Sequence, residues 1–524
     1  MDNNQKGDHN KMNYNLLDKP WINVEYFNTS TAKIGIRQTL IDAENIRDIK
    51  APVFRGDVAD IYDVLVYKLL TTIIMAAYFK KENKYAAQNS RYLEILRQDG
   101  IYSEEVQRYL AKFEDRFDIF SDTHPFLQNI ALQSIAKDAK SDDGYKSWNI
   151  LVPSGNNHVF GKNRSIDTSK TKVIDQYEIT DEEFAYMLLY LANMGRTPMS
   201  THFPENSLAG KVTAFVVPKG KNLADTLLLN ILPLKNSTKP IENDEKPDMP
   251  VWELNDIQEI KDYPNADLSK NRLLCAFYPG ISVLGIKTQD NGLIQGILRV
   301  KKENLGLSTD QTNAISDKYF DINAITALDK DQKQIYKEYS QVKDTASSLC
   351  IAATARVESG LSCQVLDQPE NMVNNVAIYY RLYDRMKTNV LGIGKISGRS
   401  GNTWKALQDP QNHDLAVQYQ EYYKVAKSLL SSAMNTLFGK DSPEQKTAIR
   451  MQSDFFEDDF FNAFTASLSQ EDALQQAANR MIAKTSEIYD YFAFRARNLL
   501  LVSNAKGKII GTLNKRKEKM LYAG

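Results

Sequence analysis

The side chains that most often carry catalysis are few and dispersed here. The five histidines, His9, His124, His158, His202 and His413, include no HxxxH pair of the kind that holds a metal from one helix face. Cys275, Cys350 and Cys363 lack the paired spacing of a structural zinc site or a disulfide framework and read as reduced thiols. The run Glu457-Asp458-Asp459 suggests a metal site, but on a helix flanked by Phe456 and Phe460 its carboxylates point in different directions, so a solvated face is expected. Gly392-Ile-Gly-Lys-Ile-Ser-Gly398 resembles a phosphate loop only superficially. Its spacing departs from GxGxxG and no Lys-Ser/Thr follows the last glycine, which leaves a glycine-rich hairpin as the structural reading. No catalytic residue, metal site or cofactor is expected.

Length and composition bound what remains. At 524 residues, with 42% hydrophobic and 25% charged residues, the chain reads as globular and large enough for two or more domains. Lys and Arg total 65 against 66 acidic residues, so any nucleic-acid contact must come from local patches. The most apolar stretch, Leu69 to Phe79, is much shorter than the ~20 residues of a membrane span. No secretory signal opens the chain, and a cytoplasmic protein with no membrane partner is expected.

The elements that must position any site follow from periodicity. Residues 15–24 read as a turn entering a short strand, with Trp21 as its anchor. Val58, Ile61, Val64, Leu65, Leu69 and Ile73 recur at helical spacing and predict a long core helix over Asp57 to Lys80. Residues 141–172 form a polar stretch read as a long loop. Asp181 to Met194 predicts a helix with three acids in its first turn. Val212 to Val217 reads as a strand, Leu227 to Leu234 as a strand or a helical turn, and Leu273 to Val300 as short strands with a hairpin turn at Asp290-Asn291-Gly292. From Asp414 onward three or four amphipathic helices predict an antiparallel bundle, the last long one keeping Leu474, Ala478, Met481, Ile482, Thr485, Ile488, Tyr489 and Phe492 on one face.

Four segments occur in an order that carries a resemblance: residues 15–24 (NLLDKPWINV), 123–128 (THPFLQ), 153–163 (PSGNNHVFGKN) and 225–232 (DTLLLNIL). Together with the terminal helices they resemble CasA, the large subunit of the type I-E CRISPR Cascade complex, over about residues 12–515. The resemblance implies an α+β fold, with a mixed N-terminal domain of short sheets and long loops over 12–410 and a C-terminal antiparallel four-helix bundle over 411–524. It also implies a non-catalytic subunit that works with other Cascade subunits and crRNA. Such a subunit reads a short protospacer-adjacent motif in double-stranded target DNA, helps to open the strands, and recruits a separate helicase-nuclease. Pairing with the guide then reads sequence while protein reads the short motif and backbone shape.

The resemblance also implies the DNA-contacting residues. Asn157, Phe160, Lys162 and Asn163 fall on the loop at 154–164, where an aromatic can stack or wedge and amide or ammonium groups can reach groove acceptors and phosphates. The family's glycine-rich loop corresponds to about Thr201 to Lys211, but only Gly210 remains, leaving Asn206, Ser207 and Lys211 as contacts. Lys287 is the nearest match to a loop lysine. Lys395, Arg399, Asn402 and Lys405 lie where the family has a strand-separating hairpin. The family's 225–232 segment is strand-like. The basic C-terminus, with Arg495, Arg497, Lys506, Lys508, Lys515, Arg516, Lys517 and Lys519, suits phosphate contacts or a solvated tail. A metal-dependent nuclease or NTP-hydrolysing enzyme of the same defence system, and a scaffold without DNA contact, are the alternatives from other classes.

Overall fold

A computed structural model describes residues 14–50, 61–78, 96–130, 145–146, 180–194, 214–231, 249–255, 277, 283–287, 294–299, 375–383, 390–397, 403, 406–407, 409–460, 472–496 and 498–521. The chain forms two compact units, one built on short sheets and helices and one on four long helices.

The first unit begins as the residue pattern requires. Asn15 turns the chain by accepting from the Leu17 amide at 2.9 Å, and Trp21, fully buried, donates its indole N–H to the Leu16 carbonyl at 2.9 Å. β1 (Ile22–Tyr26) then pairs antiparallel with β2 (Thr31–Ile34) and β3 (Ile46–Ile49), giving a sheet ordered β2-β1-β3. Helix α1 (Ile36–Ile41) leaves β2 through Gly35, where a Cβ would lie 2.4 Å from the Leu17 carbonyl oxygen, so only glycine lets the two backbones meet.

Helix α2 (Ile61–Tyr78) is mostly apolar and is buried on every side, Asp63 and Lys68 included. The threonines interrupting its apolar run are satisfied within it: Thr71 donates to the Tyr67 carbonyl at 2.9 Å and Thr72 to that of Lys68 at 2.6 Å. Helix α3 spans Glu104–Lys112. Helix α4 (Asp181–Met194) has the expected bounds, set by a capping box in which Thr180 and Glu183 exchange hydrogen bonds at 3.2 and 2.7 Å. Its Tyr186 lies 5.2 Å edge-on from Trp21 and accepts from the Asn23 amide at 3.2 Å, tying the opening segment to the core.

Two expectations are corrected. Tyr145–Lys146, placed in a long loop, forms strand β4 against residues 297–298, because its pairing partner lies far along the chain. The strand-like character that the resemblance implied for 225–232 is not found where the residues are described, and of the two readings of the Leu227 region the helical one holds: β5 (Ala214–Lys219) is followed by α5 (Leu223–Leu229), capped by the Asn222 side chain accepting from the Asp225 amide at 2.8 Å. β6 (Val283–Lys287) and β7 (Ile294–Arg299) form the expected hairpin in a sheet ordered β4-β7-β6, and the turn residues 288–293 lie outside the described residues. A third sheet orders β5 with β8 (Asn375–Tyr383) and β9 (Val390–Ser397) as β5-β8-β9, so the glycine-rich segment at 392–397 is a strand.

The first sheet carries a titration-dependent contact. Glu25, its side chain 11% exposed, pairs with Lys50 at 2.5 Å and with Arg47. The Lys50 hydrogen bond holds its carboxyl below the ordinary 4.5, assisted by Arg47 against the opposing effect of burial. A lowered carboxylate stabilises the fold above its unfolded value, and that contribution is lost as pH falls through the folded value. Glu25→Gln is therefore expected to be less stable near neutrality and to show a shallower loss of stability below about pH 4.5, read from denaturation midpoints across pH.

In the second unit, α6 (Pro410–Phe438), α7 (Pro443–Asp459), α8 (Ala473–Ala493) and α9 (Leu499–Leu521) form the bundle, α6 packing along each of the other three. Asp409 and Ser442 cap α6 and α7 immediately before a proline at the first helical position. Tyr422 donates to the Leu513 carbonyl at 3.0 Å and Tyr489 to that of Val502 at 2.8 Å, locking α9 against α6 and α8.

The reading of the acidic run at 457–459 as a solvated face is corrected at its last residue. Asp459 is buried, accepting from Arg480 Nε at 2.6 Å and from the Tyr419 hydroxyl at 2.6 Å. Among the described residues no helix is long and apolar enough to cross a membrane.

Candidate nucleic-acid interface

In the first unit, a cluster of aromatic rings floors a cleft with a polar rim. Phe126 stacks on Phe117 with centroids 5.3 Å apart and lies 5.8 Å from Trp252, which is 5.6 Å from Phe277. Trp252 donates to the Tyr109 hydroxyl at 2.9 Å, and Tyr109 donates to Glu253 at 2.8 Å. Burial, reinforced by the Glu253 charge, keeps the Tyr109 hydroxyl protonated far above the usual phenol range.

Over this floor, segments 123–130 and 251–255 enclose about 190 Å³. Arg116 fixes the second segment by donating to the Leu254 carbonyl at 3.0 Å and to Asn255 Oδ1 at 2.8 Å. Leu127 takes φ +52°, a left-handed conformation uncommon for a side chain of its kind, where the segment turns over the cleft. His124 places Nε2 3.2 Å from the Asn255 carbonyl, while its buried Nδ1 has no hydrogen-bond partner among the described residues. An aromatic floor and an amide and imidazole rim suit packing and hydrogen bonding of a planar group.

In the second unit, the outward side of α9 is cationic. Lys508, Lys515, Arg516 and Lys519 are exposed, and Glu518 is the helix's single acid. Asn504, Lys508, Gly511, Lys515 and Lys519 follow one stripe at helical spacing. A Cβ built at Gly507 or Gly511 would meet nothing within 4 Å, so a backbone could approach closely between the lysines. Lys506 and Lys517 are engaged instead, with Asp490 at 2.6 Å and Asn479 at 3.0 Å. A row of cations flanked by small and hydroxylated residues fits a phosphate backbone.

Of the residues expected at DNA, only Lys287 and Lys395 are among the described residues. Asn157, Phe160, Lys162, Asn163, Asn206, Ser207, Lys211, Arg399, Asn402 and Lys405 lie outside the described residues. Lys287 ends β6 beside a bulge and Lys395 lies in β9, so these two belong to different sheets. The cleft at His124 was not anticipated as a site, although the sequence signal was the THPFLQ segment itself. His413 and Asp414, adjacent in sequence, place Nδ1 and Oδ1 3.4 Å apart. Among the described residues no three potential ligands gather as a metal site there or elsewhere.

The family model described as CRISPR-associated protein Cse1 matches residues 15–276, half of the 524-residue chain and the part that holds the Trp21 turn and the His124 cleft. The chain belongs to the Cse1 family. A curated CasA/Cse1 protein of Thermus thermophilus is 24% identical over 247 residues, 46% of this chain and 42% of that protein, so the chain spans about two fifths of the length of the curated relative it matches. Solved structures extend the likeness of fold. Thermobifida fusca Cse1 matches with a TM-score of 0.63 at 16% identity, covering 97% of this chain and 98% of that one. Thermus thermophilus CasA (Cse1) matches with 0.58 at 16%, covering 98% and 99%. A chain from a structure described as a CRISPR RNA-guided surveillance complex matches with 0.56 at 14%, covering 96% and 99%. The α+β fold with a terminal helical bundle is thus shared by Cse1 structures.

Proposed function

We propose that this Cse1-family chain is the non-catalytic large subunit of a type I-E CRISPR RNA-guided surveillance complex in the cytoplasm. It works with the other Cascade subunits and crRNA, inspects duplex DNA for a protospacer-adjacent motif, aids strand opening, and presents a docking face to the helicase-nuclease. The observation that carries the reading is the Cse1 family match over residues 15–276, the range that contains Phe160 and Lys162, expected from the resemblance to lie on the motif-reading loop. The exposed cations of α9 support it, since a subunit that follows opened DNA needs a sequence-tolerant phosphate track as well as a motif reader.

The loop's part is tested in the assembled complex with Phe160→Ala and Lys162→Ala, by measuring target-duplex binding across motif variants and salt concentrations. The expected result is a loss of about tenfold or more in affinity for the preferred motif, with a flattened ranking of motifs for Phe160→Ala. Lys162→Ala should lower the salt slope by about one charge. Unchanged affinity, ranking and salt slope would remove this loop as the reader.

A further inference from the structure

Most of the exposed large apolar side chains among the described residues fall at one corner of the bundle, where α8 passes into α9. Tyr491 is 53% exposed, Phe494 73%, Leu499 81%, Leu500 71% and Leu501 42%, whereas Phe27 and Ile41 stand alone elsewhere. Scattered apolar residues on a surface are ordinary, but a contiguous group marks an interaction site.

The bundle itself does not explain these residues. Asn498 Oδ1 accepts from the Leu501 amide at 3.1 Å and fixes the first turn of α9, so three consecutive leucines point around a helix end whose buried contacts, Ile509 and Leu513, lie farther along. Polar side chains would serve that turn equally well for folding. Covering the leucines contributes only when something else supplies the apolar surface.

Charge identifies the complement. The Arg495 guanidinium lies 5.7 Å from the Tyr491 ring centroid and 5.3 Å from that of Phe494, and among the described residues it has no ion pair. The nearby carboxylate, Asp490, is matched by Lys506 at 2.6 Å, so among the described residues Arg495 is the unmatched charge bordering the apolar group, and it is a cation. We infer that this corner docks an amphipathic segment of a protein partner whose apolar side is bordered by carboxylates. A lipid surface is the poorer fit, because a single turn of leucines with so few free cations supplies neither the length nor the basic cluster of a membrane-lying helix. Single-stranded DNA is poorer still, since leucines offer no stacking face.

This proposal is independent of the duplex-reading one. Its test uses the full chain and two synthetic helical peptides with one leucine face, bordered by Glu in the first and by Lys in the second, followed by fluorescence anisotropy. Vesicles of anionic lipid and oligo-dT serve as competing probes, and circular dichroism checks the fold of each variant. The Glu-bordered peptide should bind about tenfold or more tightly than the Lys-bordered one. Phe494→Ser with Leu500→Ser should abolish that binding, and Arg495→Glu should reverse the preference while leaving the helices intact. Equal binding of both peptides, binding confined to vesicles or oligo-dT, or loss of self-association as the sole effect of the serine variant would each overturn the proposal.

Discussion

Lys219→Met is expected to destabilise the first unit by about 3 kcal/mol, the lower end of the range for breaking a buried ion pair, because Asp48 keeps some solvent contact. Lys219, 7% exposed in its side chain, donates to both Asp48 oxygens at 2.6 and 2.8 Å and to the Tyr67 hydroxyl at 2.8 Å. Tyr67 in turn donates to Asp48 and is fully buried, its hydroxyl kept protonated by burial first and by the Asp48 charge second. The three side chains come from β5, β3 and α2, so this cluster joins the opening sheet to the long buried helix. Methionine fills the volume of the lysine stem but leaves Asp48 charged and short of its cation.

The measurement is thermal or denaturant unfolding followed by tryptophan fluorescence. Trp21, Trp148 and Trp252 belong to the first unit and only Trp404 to the second, so the signal is weighted toward the first unit in a chain that need not unfold as one transition. Lys219→Met combined with Asp48→Leu should recover most of the loss, since an apolar pair replaces a buried ion pair at little cost. A single variant as stable as the parent would show that the cluster contributes nothing net.

Arg480→Met should be costlier, about 3 to 5 kcal/mol within the bundle. Asp459 is 5% exposed in its side chain and accepts from Arg480 Nε at 2.6 Å and Nη2 at 3.4 Å, with Tyr419 donating at 2.6 Å. Without the guanidinium, a carboxylate stays inside the bundle with one phenol to satisfy it. Amide hydrogen exchange along α7 and α8 should rise by about a hundredfold or more, while exchange in α2 stays unchanged. Asp459→Leu added to Arg480→Met should restore protection, and equal exchange in parent and single variant would contradict the assignment.

Both predictions concern interactions that periodicity could not have shown. The helix at 181–194 was legible because its signals are local: three acids in the first turn and an apolar repeat, with the Thr180–Glu183 exchange confirming the start. The buried face of α8 was legible for the same reason, with Leu474, Ala478, Met481, Thr485, Ile488, Tyr489 and Phe492 buried as their spacing predicts, while Ile482, expected on the same face, is only half-buried at its edge. Leu227 to Leu234 was ambiguous because an apolar run that short fits a strand or a helix. The Asn222 cap, with the packing of α5 against β5 and β3, decided for helix. Tyr145–Lys146 had no local strand signal, since its two residues become a strand only by pairing with β7.

The candidate site divides along the same line. Ordered short motifs identified the family, and the basic composition of α9 was plain from its residues; neither depends on how distant parts of the chain meet. Which charges sit inside was a tertiary matter. Asp459 is directed inward by Arg480 on another helix and Tyr419 on a third, and Lys219 is held by Asp48 and Tyr67 from far earlier in the chain. A sequence fixes side-chain chemistry and local repeat, but the free energy of burying a charge is set by the partner that folding brings to it.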